Sequence, residues 1–304
     1  MDYCIYKLKF TTPVHFGKGR LSAAAETIYA DTLFSAFCQE ALKIYGEDGI
    51  HRLYNMTASN KLVLSDTMPY CGDVLFIPKP IITVDSKNDR QGDSKLKKKF
   101  KKLKYIPFED IEKYTSGEYM PVSASFGNDS IRAGVSVKTM GDNDPYNIGI
   151  YSFENNCGLY FIAGTEDKNG TDFIDELMES LSYTGLGGKT ASGLGKFEYT
   201  YIDPDKNMQN RFNGNYKKYM SLSVSMAEND LENILKGASY ELIKRSGFVA
   251  SENYADTFLK KRDFYCFKGG SCFEKRFDGS VFDVSAYGGH AVYRYAKPLF
   301  IGIE

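Results

Sequence analysis

Hydrophobic residues recur with two different periods along the first 202 residues. Alternating apolar and polar residues predict strands at 3–10, 61–65, 74–77, 131–138, 147–153, 159–163 and 196–202. The second and third of these strands are expected to pair across a turn of proline and glycine. Apolar residues at every third or fourth position predict helices at 32–45 and 172–181, the first with Asp31 as its N-cap.

This order of strand, helix, two strands, helix and strand is that of an α+β, ferredoxin-like (βαββαβ) domain. The domain is interrupted by an inserted segment at about residues 85–165, and a glycine-rich loop at 184–196 precedes its last strand. The polar stretch 203–215 predicts a linker. Residues 216–304 form a second unit, whose pattern is less clear because it contains one convincing helix, at 229–236. Strands are predicted there at 219–226, 240–245 and 262–267, with a strand pair or bent strand at 287–300.

Composition narrows the classes of protein that remain. A chain of 304 residues with 42% hydrophobic residues has room for two cores, and its net charge of −1 confines any nucleic-acid surface to a local patch. No apolar run is long enough to cross a bilayer, and the N-terminus has no signal-peptide pattern. The six cysteines lack CxxC spacing and the three histidines lack metal-ligand spacing. We therefore expect reduced structural thiols, a cytoplasmic location, and neither metal nor cofactor.

The stretch 184–197 concentrates the chemistry of the chain, with five glycines, two lysines and three hydroxyl groups. Bare backbone N–H groups between Lys189 and Lys196 favour phosphate oxygens. The Gly-Lys-Thr sequence at 188–190 is similar to the end of a nucleotide-binding loop, but Tyr183 stands where that motif requires glycine. A helix precedes the loop and a strand follows it, which is the reverse of that motif. The sequence therefore favours nucleic acid over ATP, with a flexible connector as the alternative.

A lysine-rich segment stands out between residues 85 and 117. Runs of like charge are usually mobile and solvated, so one interpretation is a simple surface loop. The other is an arm that contacts phosphates, because Phe100 and Tyr105 interleave with the lysines and are able to stack on bases. The lysines of this cluster are Lys95, Lys97, Lys98, Lys99, Lys101, Lys102 and Lys104.

Further cations lie on short loops and strands. Arg132 and Lys138 share strand parity and are expected to face the same side, for RNA contact or for solubility. His290 and Arg294 are also expected to face one side, where docking of a partner and contact with RNA are equally plausible.

Five motifs carry a resemblance to a known family. They are His-Phe-Gly at 15–17, Ala-Asp-Thr-Leu-Phe-Ser-Ala at 30–36, Arg-Ala-Gly-Val-Ser-Val at 132–137, the glycine-rich stretch 185–195, and His-Ala-Val-Tyr-Arg-Tyr at 290–295. In this order and spacing the chain resembles the repeat-associated (RAMP) superfamily of CRISPR proteins. Over nearly its full length it is similar to the fourth subunit of the type III-A Csm interference complex.

The resemblance implies two ferredoxin-like (RRM-like) domains and a non-catalytic scaffold subunit for antiviral defence. Such a subunit holds the repeat-derived 5′ tag of the CRISPR RNA (crRNA) near the target RNA. It docks the large polymerase-like subunit and abuts the backbone subunit. An inserted thumb-like hairpin separates the tag from the guide, and residues 85–117 are the candidate for it.

The site residues follow from the resemblance and from the chemistry of single-stranded RNA. The candidates for RNA binding are His15, Gly17, Lys18, Arg20, Arg132, Lys138, Gly185, Gly187, Gly188, Lys189, Thr190, Ser192, Gly193, Gly195 and Lys196. The candidates for thumb or guide contact are Lys97, Lys98, Lys101 and Lys102, and those for base stacking are His15, Tyr183 and Phe126.

Two alternative functions remain at this stage. A histidine or a tyrosine–histidine pair near this position serves related RAMP endoribonucleases, so His15 with Tyr29 is a candidate for metal-independent cleavage of repeat RNA. The other alternative is a protein-only interaction module whose glycine loop binds a partner. The favoured interpretation assigns no catalytic residue.

Overall fold

The computed structural model describes residues 1–83, 94–122, 124–136, 144–249, 251 and 259–304. Its helices are α1 (Ala30–Tyr45), α2 (Glu47–Ala58), α3 (Ser94–Lys102), α4 (Ile111–Thr115), α5 (Lys168–Thr184), α6 (Lys206–Asn213) and α7 (Leu231–Ile234). The strands up to the end of α5 are β1 (Asp2–Phe10), β2 (Phe16–Gly17), β3 (Ala24–Ala25), β4 (Leu62–Leu64), β5 (Met68–Cys71), β6 (Val74–Pro78), β7 (Tyr105–Pro107), β8 (Gly127–Ser136), β9 (Asp144–Phe153) and β10 (Cys157–Thr165). The later strands are β11 (Phe197–Ile202), β12 (Tyr219–Ser221), β13 (Leu242–Arg245), β14 (Phe264–Phe267), β15 (Cys272–Phe273), β16 (Ser280–Asp283), β17 (Tyr293–Ala296) and β18 (Phe300–Gly302).

A seven-stranded sheet organises the first two thirds of the chain. Its strands follow the order β11-β1-β10-β5-β6-β7. Strand β4 also pairs with β10, at residues 163–165, beyond the part of β10 that pairs with β5. Strand β1 pairs antiparallel with both β10 and β11. With α1 after β1 and α5 after β10, the elements β1, α1, β4, β10, α5 and β11 form a ferredoxin-like βαββαβ unit.

One face of this sheet packs on helices. Tyr6 and Phe161 stack with their ring centroids 5.0 Å apart, and Phe37 of α1 meets Phe161 edge-on. Phe173 and Leu177 of α5 belong to the same buried cluster. The three-to-four spacing that predicted both helices is thus the spacing of their core contacts.

The other face of the sheet is also covered. Ile5 and Tyr160 are buried in a second cluster with Met220 and Ile301 from the C-terminal strands. The ring of Phe212 on α6 belongs to the same cluster and is fully buried. The sheet face that RRM domains use to stack bases is therefore closed by protein.

The polar stretch predicted as a linker contains helix α6. The side chain of Asp205 caps this helix by accepting from the amide of Met208 at 2.7 Å. Met208 and Phe212 are buried in the second cluster. Composition alone suggested a connector because most residues of the stretch are polar, whereas the few apolar ones anchor it.

Several details differ from the sequence predictions. Helix α2 was not predicted. Residues 61–65 and 74–77 do not pair with each other, because β4 pairs with β10 whereas β6 lies between β5 and β7. The predicted insertion at 85–165 includes β10, which lies between β1 and both β4 and β5. Strand β5 was missed because its sequence, Met-Pro-Tyr-Cys, shows no clear alternation.

Two cysteines are paired, contrary to the expectation of reduced thiols throughout. Cys71 and Cys157 lie directly opposite each other on β5 and β10 and form a disulfide. The other four cysteines, Cys4, Cys38, Cys266 and Cys272, are free. The prediction failed because the sequence does not show which strands are neighbours.

The C-terminal part forms smaller sheets. A three-stranded sheet has the order β15-β12-β18, and β13-β14 and β16-β17 are two-stranded pairs. In the described part of 216–304, α7 is the single α-helix and has four residues. This order of elements differs from βαββαβ, so a second ferredoxin-like domain stays a prediction.

Candidate nucleic-acid interface

The glycine-rich loop, residues 184–196, is tied to the protein by its own backbone. The amide of Gly195 donates to the carbonyl oxygen of Pro13, and that of Gly188 donates to the carbonyl oxygen of His15, each at 2.9 Å. These amides hold the loop in place and are not available to a ligand. The prediction that bare N–H groups of the loop bind phosphate is therefore wrong for these two amides.

Close packing requires glycine at two positions in this loop. Gly195 has φ +73°, and a Cβ atom there would overlap the carbonyl oxygen of Leu186. Gly187 has φ +104°, and a Cβ atom there would lie 2.9 Å from the carbonyl oxygen of His15. Leu186 itself is buried. The glycines are therefore explained by the fold of the loop before any ligand is considered.

The remaining predicted loop residues lie at its surface or its start. Gly185 follows α5 directly, with φ +89°. Thr190 and Ser192 form a short 3₁₀ helix, and Gly193 follows it with φ +82°. Gly17 ends β2 and is exposed.

Lys196 has a structural partner. Its Nζ atom contacts the carbonyl oxygen of Tyr183 and donates to that of Thr184 at 3.3 Å. A cation at the C-terminus of a helix satisfies carbonyl groups that lack an intrahelical donor. Lys196 was predicted to bind RNA, and the structure places it as a cap on α5.

His15 is buried beneath the loop. Its Nδ1 atom lies 2.6 Å from the carbonyl oxygen of Gly149 on β9, and 8% of its surface is exposed. Gly188 sits above the ring, since a Cβ atom there would lie 2.9 Å from the Cδ2 atom of His15. Tyr29, the predicted catalytic partner, lies instead under the guanidinium group of Arg245 at 4.3 Å.

The β8–β9 hairpin contacts the loop through Arg132 of β8 and Tyr146 of β9. The Nη1 atom of Arg132 donates to the carbonyl oxygen of Ser192 at 3.3 Å. The Nζ atom of Lys189 lies 5.6 Å from the ring centroid of Tyr146 on β9. Lys138, predicted to share the face of Arg132, lies outside the described residues.

A second short loop supplies two more cations. Lys18 and Arg20 are exposed on the turn between β2 and β3, where Gly19 has φ +78°. Strands β2 and β3 pair through Phe16 and Ala25.

An open groove of about 1340 Å³ starts at this loop pair. It passes α1, where the polar side chains of Thr32, Ser35 and Gln39 line it, and reaches Lys244 and Lys268 in the C-terminal part. Gly185–Gly188, Thr190 and Lys18 line its beginning. We call the part near Lys18, Arg132 and Lys189 the glycine-loop end, and the part near Lys104, Lys244, Arg245 and Lys268 the far end.

The two ends differ in how their cations are paired. At the far end, Lys104 pairs with Glu26 at 2.7 Å. Lys244 pairs with Asp263 at 2.7 Å, and Lys268 pairs with Glu241 at 2.8 Å. Lys104, Lys244 and Lys268 are therefore each neutralised by a carboxylate, whereas Lys79, which also lines the groove, donates to the carbonyl oxygen of Phe100. At the glycine-loop end, Lys18, Arg132 and Lys189 have no carboxylate partner among the residues that the structure describes.

Asp31 is the anchor of the far end. It is buried, and its carboxylate accepts from Nε and Nη2 of Arg245 at 3.0 and 2.9 Å and contacts Arg294. Burial alone would raise the pKa of Asp31, but the two guanidinium groups outweigh it and hold this pKa below its usual value. The predicted N-cap role is wrong, since Tyr29 occupies the N-cap position of α1.

The surface predicted for His290 and Arg294 does not form, because Arg294 points inward to Asp31 and is 5% exposed. His290 is exposed, with its Nε2 atom 2.9 Å from the hydroxyl of Ser251. Alternation placed the two side chains on one face, but only Arg294 lies within a strand, β17.

A second buried carboxylate, Asp66, lies nearby. Its Oδ1 atom accepts from the amides of Ala30 at 2.7 Å and Val224 at 3.0 Å, so it joins the start of α1 to the C-terminal part. Burial raises the pKa of Asp66 to about 7, although the two backbone donors oppose this shift.

The lysine-rich segment is partly a docked helix. Residues 94–102 form α3, and Phe100 packs against the second core cluster. Lys79 donates to the carbonyl oxygen of Phe100 at 3.0 Å, which fixes this end of the helix. The lysines predicted to contact the guide, Lys97, Lys98, Lys101 and Lys102, are all exposed. Residues 85–93 of the predicted thumb lie outside the described residues.

Two of the aromatic residues predicted to stack on bases are used inside the protein. Tyr105 lies 3.1 Å from the hydroxyl of Thr27, and Phe126 is buried against Phe76 at 4.9 Å. Tyr183 is 74% exposed and remains a surface aromatic.

A polar stripe of α1 that was not predicted faces the groove. Thr32, Ser35 and Gln39 recur at helical spacing among apolar residues. That spacing, opposite the core face, was the signal that would have found them. Hydroxyl and amide groups of this kind suit sugar hydroxyls and base edges.

No group of three or more histidine, cysteine or acidic side chains suited to a metal ion occurs in the described ranges. None of the helices in these ranges is both long enough and apolar enough to cross a membrane.

Comparison with solved structures finds chains of similar fold. The chain is similar to a chain of a crystallised Csm3–Csm4 subcomplex of the type III-A CRISPR-Cas interference complex, with a TM-score of 0.64, 19% identity and coverage of 100% of both chains. It is also similar to a chain of a Csm1–Csm4 cassette in complex with AMPPNP, with a TM-score of 0.67, 16% identity, and coverage of 100% of this chain and 98% of that one.

Sequence comparison identifies the class and then the family. Residues 7–198 match the RAMP superfamily, so the fold is that of a RAMP protein. Residues 214–303 match the CRISPR Csm4 C-terminal domain. The chain is 36% identical over 297 residues to Csm4 of Mycobacterium tuberculosis, covering 95% of this chain and 94% of that one. It is 34% identical over 312 residues to Csm4 of Streptococcus thermophilus, covering 100% of both. The chain belongs to the Csm4 family.

Proposed function

We propose that this chain is the non-catalytic subunit that holds the 5′ repeat-derived tag of crRNA in a type III-A interference complex of antiviral defence. The observation that carries the proposal is the glycine-loop end of the groove. There, Lys18, Arg132 and Lys189 gather from three separate loops and strands without a carboxylate partner in the described ranges. Cations with no carboxylate partner keep their charge for phosphates, and neutralising phosphates releases the counterions condensed on the RNA.

The contacts divide by chemistry. The three cations of the glycine-loop end position the phosphates. Of the three, Lys18 lines the groove itself, as does Thr190. Farther along, Thr32, Ser35 and Gln39 of α1 offer donors and acceptors to 2′-hydroxyls and base edges. The tag therefore enters beside the loop and runs along α1.

Protein partners are part of the proposal. Chains of similar fold have been solved with Csm1 and with Csm3, and this chain is covered completely by both comparisons. We infer a large polymerase-like subunit and a backbone subunit as its neighbours. The exposed lysines of α3, together with the rest of the predicted thumb at 85–117, would contact the guide beyond the tag.

The proposal excludes cleavage by His15. Its ring is buried, and its Nδ1 atom is committed to the carbonyl oxygen of Gly149. A general base must reach the 2′-hydroxyl that it deprotonates. Tyr29 does not assist, because its ring lies under Arg245.

The experiment is photo-crosslinking of the purified full chain to tag RNA that carries 4-thiouridine at single positions. We expect crosslinked peptides from 15–20, 130–136 and 185–193, and intact RNA after incubation with EDTA. Crosslinks confined to the C-terminal part would contradict the proposed site. Discrete cut products without metal, lost in His15→Ala, would favour the endoribonuclease alternative.

A further inference from the structure

The free edge of the seven-stranded sheet is formed by β11. This strand pairs with β1 on one side, and no strand of the described residues pairs with its other side. It is six residues long and contains no proline. An edge strand presents backbone N–H and C=O groups that have no partner in the sheet.

The opposite end of the sheet is protected in ways that β11 is not. Strand β7 has three residues and ends in Pro107, which has no N–H group to donate. Natural proteins usually shorten an edge or block it with proline to prevent unwanted pairing. A long, unblocked edge therefore indicates a strand that receives a partner.

Exposed aromatic and aliphatic side chains accompany this edge. Tyr201 and Ile202 are 62% and 43% exposed, although both lie on a strand of the main sheet. Tyr183, at the end of α5, is also largely exposed. Tyrosine at an exposed site is typical of protein interfaces, where its ring supplies contact area and its hydroxyl keeps a polar partner.

The exposed side of α5, opposite its buried residues, is acidic. Asp172, Glu176 and Glu179 recur at helical spacing with Tyr183 and are exposed. Within the described part of the chain, none of the three has an ion-pair partner. The pKa of the Tyr199 hydroxyl on β11 is raised. Burial contributes most to this shift, and Glu179 is close enough to add to it.

We propose that the edge of β11 and the acidic side of α5 form a docking site for an extended, lysine- or arginine-rich segment of a partner protein. The segment adds to the sheet as a further strand beside β11, and its cations are attracted to the acidic side of α5, on which Glu179 is near Tyr199 of β11. Backbone pairing supplies the affinity of such strand addition, and side chains supply the selectivity. The acidic stripe repels RNA, so this surface is separate from the groove.

The test uses the purified full chain and a labelled octapeptide that alternates lysine with valine and threonine. We expect the peptide to slow hydrogen–deuterium exchange of the amides at 197–202. Double substitution Glu176→Lys with Glu179→Lys should weaken peptide binding at least about fivefold, because attraction becomes repulsion. The matched control, Glu109→Lys with Glu228→Lys, adds the same charge elsewhere and should bind like the wild type.

Three results would overturn the proposal. One is binding without protection of 197–202, or no binding at all. A second is equal protection by a matched peptide that carries glutamate in place of lysine, or by oligouridine RNA. The third is protection that rises with the concentration of the chain alone, together with dimers in analytical ultracentrifugation, because the occupant would then be a second copy.

Discussion

The two ends of the groove hold similar cations in different electrostatic settings. At the far end, Lys244 and Lys268 each pair with a carboxylate within 3 Å. At the glycine-loop end, Lys18 and Lys189 face solvent without such a partner in the described ranges. A paired cation has little charge left for a phosphate. The position of a lysine beside a groove is therefore weaker evidence for RNA binding than the absence of a neighbouring acid.

The two ends also differ in the buried charged groups that they contain. The far end contains the buried groups that join α1 to the C-terminal part, namely Asp31, Arg245, Arg294 and Asp66. The glycine-loop end contains no comparable buried ion pair among the described residues. We expect substitutions at the far end to change stability, and those at the glycine-loop end to change RNA affinity.

The largest effect is expected for Asp31→Ala. It leaves the guanidinium groups of Arg245 and Arg294 close together in the interior without their shared carboxylate. We expect the free energy of unfolding to fall by about 3–5 kcal/mol, measured by denaturant titration. Asp110→Ala, which breaks the surface pair with Lys113, is the control and should cost less than about 1 kcal/mol. An equal fall in the free energy of unfolding of both variants would contradict the structural role of the far end.

Asp66→Ala should have the next largest effect. It leaves the buried amides of Ala30 and Val224 without their acceptor. A cost of about 2–4 kcal/mol in the free energy of unfolding follows from two unsatisfied donors. Asp66→Asn keeps an oxygen acceptor and should lose much less at neutral pH.

The same pair of variants tests the pH dependence. Because the pKa of Asp66 is about 7 in the folded protein and near 4 in an unfolded chain, the folded state holds its proton more tightly. The stabilisation from this group is complete below about pH 4 and is lost as the pH rises through 7. We expect the melting temperature of Asp66→Asn, relative to wild type, to rise between pH 5 and 8. A constant difference across this range would contradict the shifted pKa.

A third variant removes the cations of the glycine-loop end, Lys18→Ala, Arg132→Ala and Lys189→Ala together. We expect affinity for tag RNA to fall roughly 30- to 100-fold, or about 2–3 kcal/mol, with unchanged melting temperature. The control changes three exposed lysines elsewhere, Lys206, Lys217 and Lys275, to alanine. Fluorescence anisotropy at one salt concentration measures the affinity of both variants for tag RNA.

The smallest effect is expected for Lys244→Ala with Lys268→Ala. These lysines line the groove, but Asp263 and Glu241 already neutralise them. We expect affinity for tag RNA to change less than about threefold. A loss as large as that of the glycine-loop variant would show that pairing does not distinguish the two ends.

Much of the fold was predictable because its elements carry local signals. The periods of β1, α1, β10, α5 and β11 each predict the correct type of element, and their order gives the ferredoxin-like unit. The family resemblance was also confirmed. Strand β5 and helices α2 and α6 were missed, although α6 carries a local signal, its N-cap Asp205.

The site was less predictable because its decisive contacts are distant in sequence. Asp31 meets Arg245 and Arg294 across 214 and 263 residues, so its apparent capping role was the only local interpretation. The glycines of the loop were recognised, but the acceptors of their amides lie at Pro13 and His15. Lys196 has the same residue type as Lys189, and only the structure shows that it caps α5.

The most direct test of the RNA-binding account is the salt dependence of tag binding. The slope of log K against log salt concentration reports how many phosphates the protein neutralises, at about 0.7 per contact for a single strand. We predict that Lys18→Ala, Arg132→Ala and Lys189→Ala together make this slope shallower by about 2. The Lys206, Lys217 and Lys275 control should keep the wild-type slope. An unchanged slope in the first variant, or an equal change in the control, would contradict phosphate binding at the glycine-loop end.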